Sequence, residues 1–291
     1  MSATTAYLVT GATGDVGSRV VMHLLARDIR PRVFVRDGQR ARARFGDRVE
    51  IAQGDLGDAA SVREALRGID RLFLVNVGQD LAVRDELAAA VARAAGVRHL
   101  VKLSTMDVPL NVGTGVWHSR GEAAIRESGI GFTFVQPAGF MANALAWAPA
   151  IRSGSVIRGA TGDGQFACIH SQDIADVATA ALTTEAFTGQ SLPITGPEAL
   201  SYPEMVARIG AAVGKQLRFL PISDEEERQR WIERGESPES ADYHLDIFRA
   251  IREGRRGQIT DTVQRMLGRA PISFDRWISE NAAAFRDPAS D

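Results

Sequence analysis

The sequence predicts an α/β protein built on a doubly wound parallel sheet, joined to a smaller, mainly helical lobe. Three observations predict it. Short apolar runs rich in β-branched and aromatic residues alternate with longer amphipathic stretches through the first half of the chain. The runs are continuous rather than alternating, as strands buried on both faces are. A glycine-rich turn, Thr10-Gly-Ala-Thr-Gly-Asp-Val-Gly17, separates the first run from the first amphipathic stretch, as in a strand–turn–helix unit.

In chain order the strand candidates are Tyr7–Thr10, Val33–Val35, Val49–Ile51, Leu72–Val75, Leu100–Leu103 and Phe132–Val135. Val20, Val21, Leu24 and Leu25 share one helical face after Gly17. Val62 and Leu66 lie between Asp58, a predicted N-cap, and Gly68, a predicted stop. Leu87, Val91 and Ala94 precede Gly96 in the same way, and a further helix is predicted from about Val116 to Ser128. A helix follows at Asp173, a strand at Ser191–Thr195, and a capping box at Ser201-Tyr-Pro-Glu204 opens a helix that stops at Gly214. From Ser223 onward the chain reads helical and highly charged. The expected division is a sheet domain over 1–150 and a lobe over 151–291, with about 166–197 returning to the sheet.

Composition narrows the function classes. The chain has 291 residues, 45% apolar and 24% charged, the balance of an ordinary globular protein. A net charge of −2 gives no basic footprint for nucleic acid. The single cysteine, Cys168, excludes an intrachain disulfide and a multi-cysteine metal site. It has no basic partner nearby in sequence and reads as a small buried side chain. No apolar run is long enough to span a membrane, and the start, Met1 to Ala6, carries no leader pattern. The expected setting is cytoplasmic, with no metal, nucleic-acid or membrane partner.

The glycine turn carries the strongest chemistry. Gly11 suits the sharp turn off the strand, Gly14 lets the backbone approach a pyrophosphate, and Gly17 permits close helix–sheet contact. The free N–H groups of the helix start suit an anion. Thr13, Asp15 and Val16 complete this predicted phosphate loop. Val35-Arg36-Asp37 ends the second strand, where the cofactor is chosen. Arg36, with Arg40 one turn later, suits the 2′-phosphate of NADP; the alternative is that Asp37 holds the ribose of NAD. Asp55, beside Leu56, is placed to accept from the adenine amino group, or simply closes an Asx turn. Asn76 and Val77, after the fourth strand, are expected along the cofactor's ribose and nicotinamide.

A family resemblance follows from the order of the motifs. Gly11–Gly17, Val35–Asp37, Gly54–Leu56, Lys102-Leu-Ser-Thr105, His118-Ser-Arg-Gly-Glu122, Ser128–Pro137 and Gly139-Phe-Met-Ala-Asn143 succeed one another. In this order they resemble the NmrA-like atypical short-chain dehydrogenases, including NADPH-dependent quinone oxidoreductases, over about residues 5 to 215. The last 75 residues resemble the family only loosely, mainly in Pro271–Trp277.

A standard short-chain dehydrogenase uses a Tyr-x-x-x-Lys pair to move a proton. This chain has tyrosines at 7, 202 and 243 and lysines at 102 and 215, so it has no such pair. Where the pair belongs it has His118 and Glu122, as the quinone-reducing relatives do. His118 is a proton-donor or hydrogen-bonding candidate; the plainer alternative is a structural histidine paired with Glu122 along the helix. Ser104 and Thr105 are expected to bond the nicotinamide ribose or the substrate, or merely to cap the fifth strand. By resemblance the backbone after Pro137 lies against the nicotinamide, and Phe140 and Asn143 border the substrate. Asp173 is expected to fix a helix start. Trp231, Tyr243, His244 and Phe248 divide between helix core and substrate contact. The resemblance implies an NADPH-dependent reductase of a quinone or other conjugated small molecule, with an aromatic one expected. A non-catalytic NADP(H)-binding redox sensor is the alternative.

Overall fold

The computed structural model describes residues 5–154 and 156–287. The start at which the absence of a leader is read falls largely on residues 1–4, outside the described residues.

The first apolar run becomes an inner strand, β1 (Tyr7–Thr10), buried at every position. The chain then forms α1 (Asp15–Leu25), β2 (Arg32–Val35), α2 (Gly38–Phe45), β3 (Glu50–Gln53), α3 (Ala59–Ala65) and β4 (Arg71–Leu74). Next come α4 (Leu81–Ala95), β5 (His99–Leu103), α5 (Asp107–Leu110), α6 (Gly115–Glu127) and β6 (Gly131–Pro137). A 3-10 turn (Met141–Trp147) leads to α7 (Ala148–Arg152), β7 (Ile157–Gly159), β8 (Gln165–Phe166), α8 (Ser171–Thr183) and β9 (Gln190–Ile194). The remainder is β10 (Leu200–Ser201), α9 (Tyr202–Val213), β11 (Phe219–Pro221), α10 (Asp224–Glu233), α11 (Pro238–Arg252), α12 (Thr262–Leu267) and α13 (Phe274–Phe285).

The seven-stranded sheet has the order β3-β2-β1-β4-β5-β6-β9. Every registered pair from β3 to β6 is parallel. Winding reverses between β1 and β4, so this is the doubly wound Rossmann-like fold, with its switch point beside the glycine turn. β3 is only partly buried because it lies at the sheet edge.

Helix ends obey local chemistry. Asp58 caps α3 by accepting from Ala60 and Ser61 N–H, and those bonds lower its pKa. Ser201 and Glu204 form the complete capping box of α9. Gly96 and Gly214 end α4 and α9 in the left-handed conformation. Asp173 is buried in the first turn of α8. On α4 the buried face is Leu81, Ala82, Asp85, Ala88, Ala89, Val91 and Ala92; Ala94, expected in the stripe, is exposed.

The chain divides into two compact units. The first comprises Met1–Thr105, Val116–Gln136 and Ser171–Pro193, the second Met106–Gly115, Pro137–His170 and Ile194–Asp291. Residues 106–115 and 137–150 therefore belong to the second unit, and the expected boundary at 150 becomes a series of crossings. The second unit is slightly shorter than the first. It also holds two strand pairs, β7–β11 and β8–β10. Each unit has its own core. Leu8, Leu72, Leu74, Leu100 and Phe134 anchor the first. Met141, Ile151, Ile209, Phe274 and Phe285 anchor the second. Among the described residues no helix is long and apolar enough to cross a membrane.

Candidate active site

The site starts where β1 turns into α1. Gly11 has φ +59, which favours glycine. A Cβ on Gly17 would lie 2.3 Å from the Gly11 carbonyl oxygen, so the helix start can close on the turn only with glycine there. Gly14 is the N-cap of α1, with no side-chain cap, so the first-turn N–H groups at Asp15, Val16 and Gly17 lack intrahelical acceptors. Gly11, Gly14 and Asp15 are exposed, Thr13 is half-buried and Val16 is buried. The Asp15 carboxylate is turned to Arg19 and Ser171. What Asp15 offers a phosphate is its backbone N–H.

The neighbouring strand ends separate the two cofactor alternatives. The Asp37 carboxylate accepts from Arg40 N–H at 3.0 Å and caps α2. Arg36 is exposed and has no partner among the described residues. Arg44, which local pattern did not single out, donates to the Thr13 carbonyl at 3.1 Å and the Ser18 hydroxyl at 2.7 Å. It ties α2 to the glycine turn. Asp55 accepts from Gly57 N–H at 2.7 Å, so the Asx turn forms through one carboxylate oxygen. Leu56 beside it is half-buried.

After β4 the side chain of Asn76 is consumed internally. Its amide donates to the Leu81 carbonyl (3.0 Å) and Asp85 Oδ1 (3.1 Å), and its oxygen accepts from Val77 N–H (3.0 Å). Asn76 shapes the loop, and the contact surface left there is Val77, 73% exposed.

At the end of β5 the first unit buries a charged network. Lys102 and Asp85 pair at 2.6 Å, both fully buried. Glu122, also fully buried, accepts from Ser104 Oγ (2.6 Å), Gln136 Nε2 (2.9 Å) and Arg126 (3.0 Å). The Ser104 proton is thus committed, and its oxygen faces a ligand as an acceptor. Thr105, next along, is half-buried. The expected His118–Glu122 pair is not formed; Glu122 turns to Arg126 instead. Nδ1 of His118 is buried without a hydrogen-bond partner among the described residues. Burial, then the Lys102 charge, lowers its pKa to about 2. Both effects favour the neutral imidazole at His118.

In the second unit Phe140 bridges to Ile169 and stays half-buried, while Asn143 is exposed in the 3-10 turn. Cys168 is buried and its thiol is pushed up to about 12, mainly by burial, so it is no nucleophile. His244 bonds Glu236 at 2.9 Å and stacks edge-on with Trp231, and Tyr243 donates to Glu239 at 3.5 Å. Among the described residues no group of three His, Cys, Asp or Glu could hold a metal.

A family profile described as NAD(P)H-binding matches residues 11–185. The chain belongs to this NAD(P)H-binding family, as an atypical short-chain dehydrogenase. The profile spans the glycine turn, both arms of the buried network and α8. Several relatives match at nearly full length, among them these two. The (4-alkanoyl-5-oxo-2,5-dihydrofuran-3-yl)methyl phosphate reductase of Streptomyces griseus is 40% identical over 96% of this chain and 98% of its own. The NAD(P)H azoreductase of Xenophilus azovorans is 34% identical over 96% and 98%. Among solved structures, the NADPH complex of an Escherichia coli NADPH-dependent quinone oxidoreductase has a TM-score of 0.85 at 24% identity, covering 94% of this chain and 99% of that one. This family member is an NAD(P)H-dependent oxidoreductase acting on small molecules. The open first turn of α1 and unpartnered Arg36 fit such a dinucleotide.

Proposed function

We propose that the protein is an NADPH-dependent reductase of conjugated acceptors, such as quinones and unsaturated ketones or lactones. One observation carries the reading: among the described residues no strong proton donor stands at the end of β5. The Ser104 proton is held by Glu122, and His118 is neutral. The bound nicotinamide supplies the hydride. Reducing an isolated ketone makes an alkoxide, whose conjugate acid has a pKa near that of water, about 16. Reducing a quinone leaves a phenolate-type anion, whose acid has a pKa of about 10. Water or a neutral imidazole N–H suffices for the second.

His118 is the hydrogen-bond donor we assign to the developing oxyanion, through the nitrogen not buried as an orphan. Thr105 is the second candidate donor. Ser104 serves as acceptor toward the nicotinamide ribose, and Phe140 and Asn143 are assigned to the substrate. The relatives' names support the acceptor class: an oxo-dihydrofuran bearing an alkanoyl group is an unsaturated lactone, and azo and quinone acceptors are also conjugated. Arg36 supports NADPH over NADH, since Asp37 is occupied at the helix cap. A sensor without turnover would share the missing donor; the reductase names of the relatives are what support turnover.

The test is NADPH oxidation at 340 nm with quinones, enones, acyl-lactones and azo compounds beside simple ketones. Turnover confined to the conjugated acceptors is expected. Equal turnover of isolated ketones would overturn the reading.

A further inference from the structure

Three buried side-chain atoms of the first unit, Asp85 Oδ2, Lys102 Nζ and His118 Nδ1, make no hydrogen bond among the described residues. The first two face each other as the 2.6 Å ion pair, with both side chains fully buried. The other Asp85 oxygen accepts from Asn76. An ammonium has three donors and no acceptor, so a single carboxylate oxygen leaves most of its capacity unspent. His118 stands three residues before Gly121 on α6, and so on the same helix face. That face lies against the pair, because a Cβ on Gly121 would run into Asp85 Oδ2. The other charges on α6 facing this network are engaged: Glu122 takes Arg126, Ser104 and Gln136. Lys102 is left to act on the imidazole, and its charge adds to burial in lowering the His118 pKa. His118 as a whole is only half-buried. With Nδ1 turned inward, Nε2 is the nitrogen open to a ligand.

We propose that Lys102 is a positioning residue for the reaction: its buried charge, held by Asp85, keeps Nδ1 of His118 bare and makes Nε2–H the donor to the anion left by hydride transfer. The proposal rests on the reductase reading for what that donor meets. A neutral imidazole carries its proton on one nitrogen and a lone pair on the other. A cation on the Nδ1 side repels an N–H there and attracts a lone pair, so the proton sits on Nε2. The cation also draws electron density from the ring, which strengthens Nε2–H as a donor. No proton leaves Lys102. The benefit grows with the basicity of the anion. An enone leaves an enolate, a stronger base than the phenolate-type anion left by a quinone.

The full-length protein, isotope-labelled at its histidine nitrogens and saturated with NADP+, is studied by NMR near neutral pH. The His118 signals are assigned by their loss in His118→Gln. The expected spectrum shows one form, protonated at Nε2 and bare at Nδ1. A wild-type His118 with its proton on Nδ1, or with protons on both nitrogens, would overturn the proposal. Lys102→Met combined with Asp85→Leu removes the charge without leaving a carboxylate alone. This double variant is expected to show a measurable Nδ1–H form. It is also expected to lower kcat about 10-fold with an enone but only about 2-fold with benzoquinone, since it weakens the donor without removing it. A purely structural brace would cost both acceptors alike. Equal losses, or none, would overturn the proposal. If the double variant does not fold, the wild-type spectrum decides. If the wild-type protein turns over neither acceptor, the reductase reading fails, and the two spectra still decide whether Lys102 sets the His118 tautomer.

Discussion

Arg36 and Asp37 are adjacent, exposed and opposite in charge, and the structure uses them differently. Asp37 caps α2, while Arg36 is free to meet a phosphate. A charge-assisted hydrogen bond is worth about 1.5–3 kcal/mol. Arg36→Ala is therefore expected to raise the KM for NADPH roughly 10- to 100-fold and leave that for NADH nearly unchanged. Steady-state kinetics with both cofactors checks this; equal losses would remove Arg36 from the 2′-phosphate. His118 gives a pH prediction. Its pKa is lowered from 6.5 to about 2 in the folded chain. Between those values the unfolded chain binds the extra proton, so the His118 contribution weakens stability as pH falls below 6.5. His118→Gln is expected to flatten the drop in melting temperature between pH 7 and pH 5. The same neutrality predicts that wild-type kcat/KM shows no His118 inflection between pH 5 and 8. The glycine turn was legible at this scale because backbone geometry dictates residue type. The roles of Asn76 and Arg44 were not, because their partners are set by loop closure and by the meeting of α2 with the turn.

Between β5, α4 and α6 the elements are joined by charge as well as by apolar packing. A Cβ on Gly121 of α6 would lie 2.3 Å from Asp85 Oδ2, so glycine there lets α6 approach the buried pair. Lys102→Met removes one partner and leaves Asp85 as an uncompensated buried carboxylate, an expected loss of about 3–5 kcal/mol in urea unfolding. The double variant Lys102→Met with Asp85→Leu is expected to recover most of that loss. A single variant that costs less than 1 kcal/mol would show the pair to be water-accessible. At the start of α9, Ser201→Ala is expected to cost about 1 kcal/mol by the same measurement, the usual worth of an N-cap. Caps of this kind were legible, since all their atoms lie within four residues. The Glu122 network was not: besides Arg126 on its own helix, its donors come from the residue after β5 and from β6, and its one sequence trace is Gln136 ending an apolar run.

Across the whole molecule the Rossmann-like unit was readable because parallel strands buried on both faces leave continuous apolar runs. The pairs β7–β11 and β8–β10 were not, because strands of two or three residues carry no period. The unit boundaries follow spatial packing, and the chain enters the second unit three times. Cofactor binding predicts a global effect: NADPH at 100 times its Kd is expected to add about 2.7 kcal/mol to stability. Calorimetric melting with and without NADPH checks it. The threefold entry also bears on heredity. The second unit is encoded in three separate stretches, two of them interleaved with the first unit's, so no single recombination event can lift it out as a cassette and exchange it for another. Grafting it onto another frame therefore takes three insertions rather than one.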